Sequence, residues 1–390
     1  MEKVEGKICS IPIGPYHPAL EEIAFYKVYV EGERIVDAFI KPGFSHRGIE
    51  KLAMQRSYHR NIQLFERVCG ICSDAHTTAY CVAVENCLKI NVPKRAQYIR
   101  VVEHEANRIH SHLLWFGVAM HAIGFDTLFM HSWAIREAIM DVVETLTGNR
   151  VNYSVNTIGG VRRDITPELA KYIEEKLKIV EKGTLYLIKT VKEDETIKAR
   201  TSEVGILTKE EARKYCVVGP TARASGIDED IRKDDPYINY EDFEFEVCIE
   251  DTCDVYGRIM VRLRETLESI KIVRQALKNM PEGRLIADLP YPFPSEDVGR
   301  VEAPRGELIY YVKSNYTNIP ERVKVRTPTF VNLPATKPML LGDKLADAPQ
   351  IIISIDPCLT CNDRLVIVDL RSGCEKTVFL QDLIKGRVKL

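Results

Sequence analysis

Two Cys-x-x-Cys pairs lie near opposite ends of this 390-residue chain, Cys69-Gly-Ile-Cys72 early and Cys358-Leu-Thr-Cys361 late. A metal site built from both pairs would force the two ends of the chain together inside the fold. Four thiolates are suitable ligands for a soft transition metal. A compact zinc ribbon is excluded, because its second pair follows about 15–20 residues after the first. From the spacing alone, separate redox pairs and buried thiols remain open interpretations.

The composition indicates a globular protein without a strongly charged surface of one sign. The chain has 54 basic and 56 acidic residues and a formal net charge of -2, so nucleic acid is not an expected partner. No run of about 18 apolar residues occurs, and we expect neither a membrane span nor a signal peptide. The 11 cysteines indicate a reducing compartment, in which thiols serve metal or redox chemistry.

The pattern of apolar residues predicts an α+β fold in three regions. Residues 1–48 are predicted to form a β region with a hairpin around a Gly-containing turn. Residues 49–280 are predicted to be a bundle of long helices that carries the first motif, with Gly117 and Gly148 near helix ends. Residues 281–390 are predicted to be irregular, because 281–338 is rich in proline, and to return the second motif to the core.

The residues around both pairs carry a resemblance to a known family. The first pair lies in Glu66-Arg-Val-Cys-Gly-Ile-Cys-Ser-Asp-Ala-His76 and the second in Asp356-Pro-Cys-Leu-Thr-Cys-Asn-Asp-Arg364. Both segments resemble the signature motifs of nickel-iron hydrogenase large subunits. Further matching segments are Gly14-Pro-Tyr-His-Pro-Ala-Leu-Glu-Glu22, His46-Arg-Gly-Ile-Glu-Lys51, Gly148-Asn-Arg-Val-Asn-Tyr153, Gly159-Gly-Val-Arg162 and Glu302-Ala-Pro-Arg-Gly306. Their form is similar to membrane-bound, energy-converting hydrogenases, to archaeal sulfane sulfur reductases and to the 49-kDa subunit of respiratory complex I.

The resemblance implies a nickel-iron centre whose iron carries carbon monoxide and cyanide. Cys69 and Cys358 would bind nickel alone, whereas Cys72 and Cys361 would bridge nickel and iron. Thiolates suit this task because they are soft, strongly donating ligands that tune the metal's potential. In the sulfur-reductase relatives the large subunit lacks this centre, and on that alternative the chain would hold no cofactor.

The resemblance also implies four catalytic candidates. Glu21 closes the Gly-Pro-x-His-Pro segment, where the hydrogenases place a proton-relay glutamate, and a partly buried carboxylate can have its pKa raised towards neutrality. Arg305 would point its guanidinium at the metals, and Asp356 would hold that guanidinium in place. His76 would donate a hydrogen bond to a cysteine sulfur. Without the motifs, Glu21 would be interpreted as a solvated acid, Arg305 as a surface cation and His76 as a satisfied core histidine.

Three further residues are candidates for cofactor or partner contacts. His17 corresponds to a histidine at the quinone pocket of the complex I subunit. His46 and Arg47 resemble residues that face the proximal iron-sulfur cluster of the small subunit, where their cationic character would favour electron arrival. A structural ion pair with Glu50 is the alternative.

Together these features imply an oxidoreductase, namely the large subunit of a membrane-bound, ion-pumping respiratory complex that produces or oxidises H2. Its expected partners are a small iron-sulfur subunit, a ferredoxin-like subunit, antiporter-like membrane-arm subunits and a maturation protease. The chain would lie at the cytoplasmic side of the cell membrane, attached through those partners.

Two alternative functions stay open. Nickel-bearing relatives are usually cleaved just after the second motif, here at Arg364, which makes 365–390 a removable tail. An uncut tail would instead fit a sulfane sulfur (polysulfide) reductase. The other alternative is a non-catalytic, quinone-contacting scaffold as in complex I, whose subunit has lost the cysteine pairs; both pairs are retained here.

Overall fold

The computed structural model describes residues 8–17, 20 and 22–362, together with the backbone of 365–368 and 375–378. Glu21 and Arg364 therefore lie outside the described residues, as does most of the proposed tail.

Helices dominate the structure, and the predicted α+β class is confirmed. One long helix, for example, spans Pro167–Glu193 and begins at a cap in which the Thr166 side chain accepts from the Leu169 N–H. The helices are α1 (Ile49–Ala53), α2 (Tyr58–Glu66), α3 (Ser73–Leu88), α4 (Lys94–Ala122), α5 (Asp126–Thr147), α6 (Pro167–Glu193), α7 (Glu195–Thr201), α8 (Lys209–Lys214), α9 (Pro220–Arg223), α10 (Ile231–Asp234), α11 (Val255–Asn279), α12 (Pro328–Asn332), α13 (Thr336–Leu340) and α14 (Ala348–Ser354).

The strands form small antiparallel sheets at both ends of the chain. Their order is β1-β2-β3 in the N-terminal sheet and β6-β7-β8 in the C-terminal sheet, and the pairs β4-β5 and β9-β10 complete the set. The strands are β1 (Cys9–Ile13), β2 (Phe25–Glu31), β3 (Arg34–Lys41), β4 (Asn156–Thr157), β5 (Gly160–Val161), β6 (Ser295–Ala303), β7 (Gly306–Ser314), β8 (Arg322–Arg326), β9 (Leu365–Val368) and β10 (Glu375–Val378).

Helix α4 is the central helix of the bundle. Every residue from Ile99 to Leu113 is buried, including charged and polar ones. The sequence pattern placed a helix end near Gly117, but α4 continues to Ala122. A Cβ atom at position 117 would lie 2.6 Å from the Trp133 side chain of α5, so glycine is needed there to let the two helices pack closely rather than to end the helix.

The N-terminal sheet brings the end of the chain back to the bundle. The Ile35 N–H donates to the Asp343 carbonyl and the Leu345 N–H to the Glu33 carbonyl, both at 2.9 Å. Apolar side chains of β1–β3 share a second hydrophobic core with α13 and α14. The Trp115 indole of α4 then donates to the Ile353 carbonyl of α14 at 2.8 Å. The residues that follow α14 are thereby fixed beside the bundle.

The prediction that 281–338 is largely irregular needs correction. Strands β6–β8 form an antiparallel sheet in the middle of this range, and β6 lies directly against α3. A Cβ atom at Gly299 would lie 2.3 Å from the Ala79 carbonyl oxygen. The prolines lie outside the strands, at the turn between β6 and β7, in the connecting segments and in the short helical turns that follow β8, so proline content did not reveal the strands between them.

Among the described residues, no helix combines the length and the apolar character that crossing a bilayer requires.

Candidate active site

The first cysteine pair lies in the loop between α2 and α3. Cys72 is the N-cap residue of α3, and Cys69 accepts hydrogen bonds from two backbone N–H groups, those of Ile71 and Cys72, each at 3.3 Å from its sulfur. Hydrogen bonds of this kind stabilise a thiolate. The loop therefore turns the Cys69 sulfur towards Cys72 at the start of α3.

The second pair follows α14 and occupies a tight turn. Asp356 has φ 55°, a left-handed backbone conformation that aspartate tolerates better than most residues. The Cys358 N–H donates to the Thr329 hydroxyl at 3.1 Å, and Leu359–Cys361 forms one turn of 3-10 helix. This reversal points both sulfurs back at the first pair.

The four sulfurs meet in one buried cluster. Those of Cys69, Cys72, Cys358 and Cys361 all lie within 4.8 Å of one another. The Cys358 sulfur is 3.3 Å from that of Cys69 and 2.9 Å from that of Cys361. Two thiolates on opposite sides of one ion are separated by about 4.6 Å, twice a metal–sulfur distance of about 2.3 Å. The donor set thus fits a single thiophilic metal ion, and the arrangement joins the two pairs into one site.

Arg305 lies at the turn between β6 and β7. Its Nη2 is 2.7 Å from Asp356 Oδ1, and its Nε donates to the Asp356 carbonyl at 2.8 Å. Both side chains are buried, and Arg305 Nη1 has no hydrogen-bond partner among the described residues. Although burial opposes it, the Asp356 carboxylate, followed by the cysteine sulfurs of the cluster, holds the pKa of Arg305 above its ordinary value. A donor without a partner is therefore available beside the sulfurs.

Close packing fixes the position of that turn. Gly306 has φ 125°, and a Cβ atom there would lie 2.8 Å from the Val218 side chain; a Cβ atom at Gly219 would lie 2.4 Å from the Gly306 Cα. Two glycines in contact thus allow the β6–β7 turn to reach the core.

The carboxylate that the structure brings to the cysteines is that of Glu22. Its Oε2 accepts from the Thr360 N–H at 2.8 Å, its Oε1 accepts from the Thr360 hydroxyl at 2.9 Å, and Oε1 lies 3.9 Å from the Cys358 sulfur. Burial, with the nearby Cys358 sulfur, raises the pKa of Glu22 to about 7. The sequence selected its neighbour Glu21, which lies outside the described residues. The residue types alone do not indicate which of two adjacent glutamates reaches the cysteines.

His76 connects the cysteine cluster to the C-terminal sheet. Its Nε2 is 3.5 Å from the Cys361 sulfur and its Nδ1 is 2.7 Å from the hydroxyl of Tyr310 on β7. Burial lowers the pKa of His76 to about 4, so the ring is neutral at pH 7. Tyr310 was not selected from the sequence, because a tyrosine in a strand gives no sign of its partner.

Arg47 links the two motifs through backbone carbonyls. Its guanidinium donates to the carbonyls of Arg67 and Val68, just before the first pair, and to that of Thr360 within the second pair, at 2.7 to 2.9 Å. The alternative partner, Glu50, lies 3.0 Å from the Lys324 ammonium, and its charge also acts on His46, whose pKa it raises against the effect of burial. Arg47 therefore acts at least as a clamp between the two cysteine segments.

The two candidate histidines lie farther out. His46 is partly buried, and that burial lowers its pKa. His17 is exposed, and its carbonyl accepts from the Leu20 N–H at 2.9 Å.

A buried ionic network beside the site was not predicted from the sequence. Glu265 of α11 accepts from Arg223 Nε of α9 at 2.7 Å and lies 2.9 Å from His112 Nε2 of α4. Nη1 of Arg223 also donates a hydrogen bond to Oε1 of Glu302 at 2.9 Å. The Arg262 guanidinium lies 4.0 Å from the centre of the Trp115 ring. Charged residues at helical spacing read as a solvated face in the sequence, and only packing shows them to be inside.

Comparison with known proteins gives two overlapping family matches. The pattern described as respiratory-chain NADH dehydrogenase, 49 Kd subunit, matches residues 122–297 and 290–364, and the pattern of the nickel-dependent hydrogenases matches residues 47–166.

Individual relatives match over nearly full length. The carbon monoxide-induced hydrogenase of Rhodospirillum rubrum is 42% identical over 91% of this chain and 99% of its own. The alpha subunit of the membrane-bound hydrogenase of Pyrococcus furiosus is 42% identical over 99% of this chain and 93% of its own. One subunit of the NADH-quinone oxidoreductase of Geotalea uraniireducens is 35% identical over 92% of this chain and 99% of its own. The chain therefore belongs to the family that unites the large subunits of membrane-bound hydrogenases with the 49-kDa subunit of respiratory-chain NADH dehydrogenase.

Proposed function

We propose that this chain is the catalytic large subunit of a membrane-bound, ion-pumping complex that produces and oxidises H2 at a nickel-iron centre. The observation that carries the proposal is the meeting of four buried cysteine sulfurs, drawn from both ends of the chain, within 4.8 Å. A scaffold subunit that only contacts a quinone has no use for this set of ligands, and its retention favours metal chemistry.

Cys69, Cys72, Cys358 and Cys361 would hold the metals. When bound, nickel and iron would supply the redox-active centre at which H2 is converted reversibly to two protons and two electrons. The protein's own contribution is to move protons, to orient charge and to exclude water.

Glu22 is the residue placed to move protons. Its Oε1 lies 3.9 Å from the Cys358 sulfur, and its two hydrogen bonds to Thr360 hold the carboxylate in that position. A carboxylate fixed beside a cysteine sulfur can accept a proton from that sulfur when the sulfur is protonated, and can then pass the proton outward. We therefore assign to Glu22 the proton-relay role that the motif assigned to its neighbour Glu21.

Arg305, Asp356 and His76 would orient charge around the centre. The free Nη1 of Arg305 offers a fixed positive donor in a water-poor site, where such a donor is most effective. Asp356 holds the guanidinium through two contacts. The neutral His76 ring would tune the Cys361 sulfur through its Nε2.

Electrons would pass to a small iron-sulfur subunit. A small cleft lined by Ser45, Arg47, Val68, Thr360 and Cys361 lies beside the cluster and would be an approach for such a partner. Ferredoxin-like and antiporter-like subunits would complete the assembly and place the chain at the cytoplasmic face of the membrane.

Metal analysis of the purified complex tests this proposal. We expect one nickel per chain, infrared bands of metal-bound carbon monoxide and cyanide, and a chain mass that ends after Arg364. A complex with neither nickel nor these bands, whose chain mass includes residues 365–390 and which reduces polysulfide, would instead establish the sulfur-reductase alternative. A complex that has neither nickel nor these bands and that reduces quinone would establish the alternative of a quinone-contacting scaffold.

A further inference from the structure

The ring of His76 joins a buried phenol to the cysteine cluster. Its Nδ1 is 2.7 Å from the hydroxyl of Tyr310, and its Nε2 is 3.5 Å from the Cys361 sulfur. The side chains of His76 and Tyr310 are both buried. A change at the phenol can therefore reach a candidate metal ligand through a single imidazole ring.

The direction of the hydrogen bond between the phenol and the ring follows from the surroundings of Tyr310. Among the residues that the structure describes, the Tyr310 hydroxyl makes no hydrogen bond other than the one to His76. Buried polar groups in proteins are nearly always hydrogen-bonded, so the phenol hydrogen needs an acceptor. The only one in reach is the lone pair of Nδ1, which leaves Nε2 as the nitrogen that carries the ring proton.

The opposite arrangement would leave groups unmatched on both sides of the ring. With a proton on Nδ1, the phenol hydrogen would have no acceptor within the described part of the chain, and the lone pair of Nε2 would face the Cys361 sulfur. A cysteine that binds a metal does so as a thiolate, which has no hydrogen to donate. The contacts of Tyr310 and of Cys361 therefore favour the same tautomer of His76.

The sheet and the aromatic side chains around it hold the phenol in place. Tyr310 lies in β7, the middle strand of its sheet, and its backbone is paired with Gly299 of β6 and Val325 of β8. Its ring packs edge-on against that of Phe65, with 4.9 Å between the ring centres, and lies 6.1 Å from that of Tyr80. A donor fixed in this way can fix the orientation of the ring that accepts from it.

We propose that Tyr310 is a positioning residue of the metal centre: its hydroxyl donates to Nδ1 of His76, keeps the ring proton on Nε2 and directs that proton at the Cys361 sulfur. Hydrogen bonds in a chain polarise one another, so the donation from Tyr310 strengthens the donation from Nε2. A hydrogen bond to a ligating sulfur withdraws electron density from it and changes the properties of the bound metal. The effect on bound metal rests on the proposed function, whereas the tautomer of His76 does not.

Three variants of the assembled complex test this role. Tyr310→Phe removes the hydroxyl and keeps the ring. Tyr80→Phe is the matched control, because Tyr80 is equally buried in the same aromatic group, but its hydroxyl donates to the Tyr58 carbonyl at 3.2 Å. His76→Gln removes the imidazole and identifies its signals by their absence. If Tyr310→Phe fails to assemble, Tyr310→Met, which also lacks a hydroxyl, replaces it.

Nitrogen NMR of the complex with isotope-labelled histidine reports the tautomer. In the wild type we expect a proton bonded to Nε2 of His76 and none bonded to Nδ1. In Tyr310→Phe a signal from a proton on Nδ1 should appear, because the ratio of the two tautomers should shift about threefold to tenfold, the factor expected for one lost hydrogen bond. Tyr80→Phe should match the wild type.

Infrared bands of bound carbon monoxide and cyanide report the metal separately. They should shift to lower wavenumber in Tyr310→Phe, because the Cys361 sulfur then donates more strongly to the metals. Tyr80→Phe should keep the wild-type bands. A merely structural role of the Tyr310 ring predicts no shift in either variant, since both keep an aromatic ring in place.

A ring proton on Nδ1 in the wild type would overturn the proposal, and so would an unchanged tautomer in the Tyr310 variant or an equal change in Tyr80→Phe. A changed tautomer with unchanged bands would refute the effect on the metal. A wild-type complex without the infrared bands would refute the nickel-iron proposal alone. In that case the NMR signals of His76 still decide whether Tyr310 fixes its tautomer.

Discussion

Glu22 is held in place by contacts that arrive from the far end of the chain. Both of its carboxylate oxygens bind Thr360, which lies between the two cysteines of the second pair. These two hydrogen bonds restrain the flexible glutamate side chain and keep its carboxylate at a fixed distance from the Cys358 sulfur. At the scale of single residues, the site is thus a set of side chains that fix one another across the two motifs.

Replacing Glu22 should separate proton transfer from metal binding. Glu22→Gln keeps the size of the side chain and a hydrogen-bonding oxygen but removes the proton acceptor. We expect hydrogen evolution to fall about 100-fold or more, with the nickel content unchanged. Hydrogen evolution by the purified complex and metal analysis measure the two effects.

Two further variants complete that experiment. Glu31→Gln, at the exposed end of β2, is the matched control and should keep wild-type activity. Glu21→Gln tests the assignment made from sequence alone. If Glu21→Gln impairs evolution more than Glu22→Gln does, the assignment of the proton acceptor to Glu22 is wrong.

The residues with a motif around them could be found in the sequence, and those defined by packing could not. The spacing and flanking residues of Cys69 and Cys358 are enough to predict a metal site. The contact between His76 and Tyr310, or between Arg136 and His110, joins positions with no pattern in common. Such contacts depend on how α3, α4, α5 and β7 pack, which the sequence does not state.

Among the secondary-structure elements, the spacing of apolar residues predicted the long helices better than the strands of the C-terminal sheet. Helices α4, α5, α6 and α11 each bury one face or more, and that repeat is visible over many turns. Strands β6 and β7 have nine residues each, but prolines precede β6 and interrupt both connections between the strands, so the composition of the whole stretch hid the strands. Gly117 shows the converse error, since its lack of a side chain serves the contact with Trp133.

The junction of α4, α9 and α11 depends on a buried carboxylate. Glu265 contacts Arg223 and His112. Burial would raise its pKa, but the charge of Arg223 and the hydrogen bond from His112 outweigh it and bring the pKa of Glu265 below its ordinary value of 4.5. Glu265→Gln should therefore cost about 3–5 kcal/mol of unfolding free energy near neutral pH, because Arg223 loses a buried partner.

The unfolding free energy that Glu265→Gln loses should depend on pH. Below about pH 4.5 the unfolded chain binds a proton at Glu265 that the folded chain does not, so the wild type loses stability as the solution is acidified. The Glu265→Gln variant has no such group, so the difference in unfolding free energy between the two proteins should become smaller on acidification. Denaturant unfolding of the full chain at pH 6 and pH 3.5 measures this gap.

Glu250→Gln is the matched control for that variant. It removes the contact of Glu250 with Arg264, which also belongs to α11 but lies at the surface, and should cost less than about 1 kcal/mol. An equal cost for the two variants, or a gap that does not change with pH, would show that Glu265 is not held as an ionised partner of Arg223.

At the scale of the whole molecule, the fold is organised to bring distant parts of the chain to one point. The N-terminal sheet carries Glu22 and pairs its backbone with residues 342–345, and α14 is anchored on α4 through Trp115. The turn with Arg305 arrives from the C-terminal sheet. The sequence motifs predicted that these parts meet, whereas the routes by which they do so required the structure.

Isotope exchange is the most direct test of the central claim, because it needs neither an electron donor nor an ion gradient. The purified complex is placed under D2 in ordinary water, and HD and H2 are followed by mass spectrometry. We predict steady formation of HD by the wild type, its loss in Cys361→Ser, and its retention in Cys253→Ala, a cysteine outside the cluster. Absence of HD from a wild-type complex that contains all its subunits, or undiminished HD in Cys361→Ser, would contradict H2 chemistry at the four cysteines.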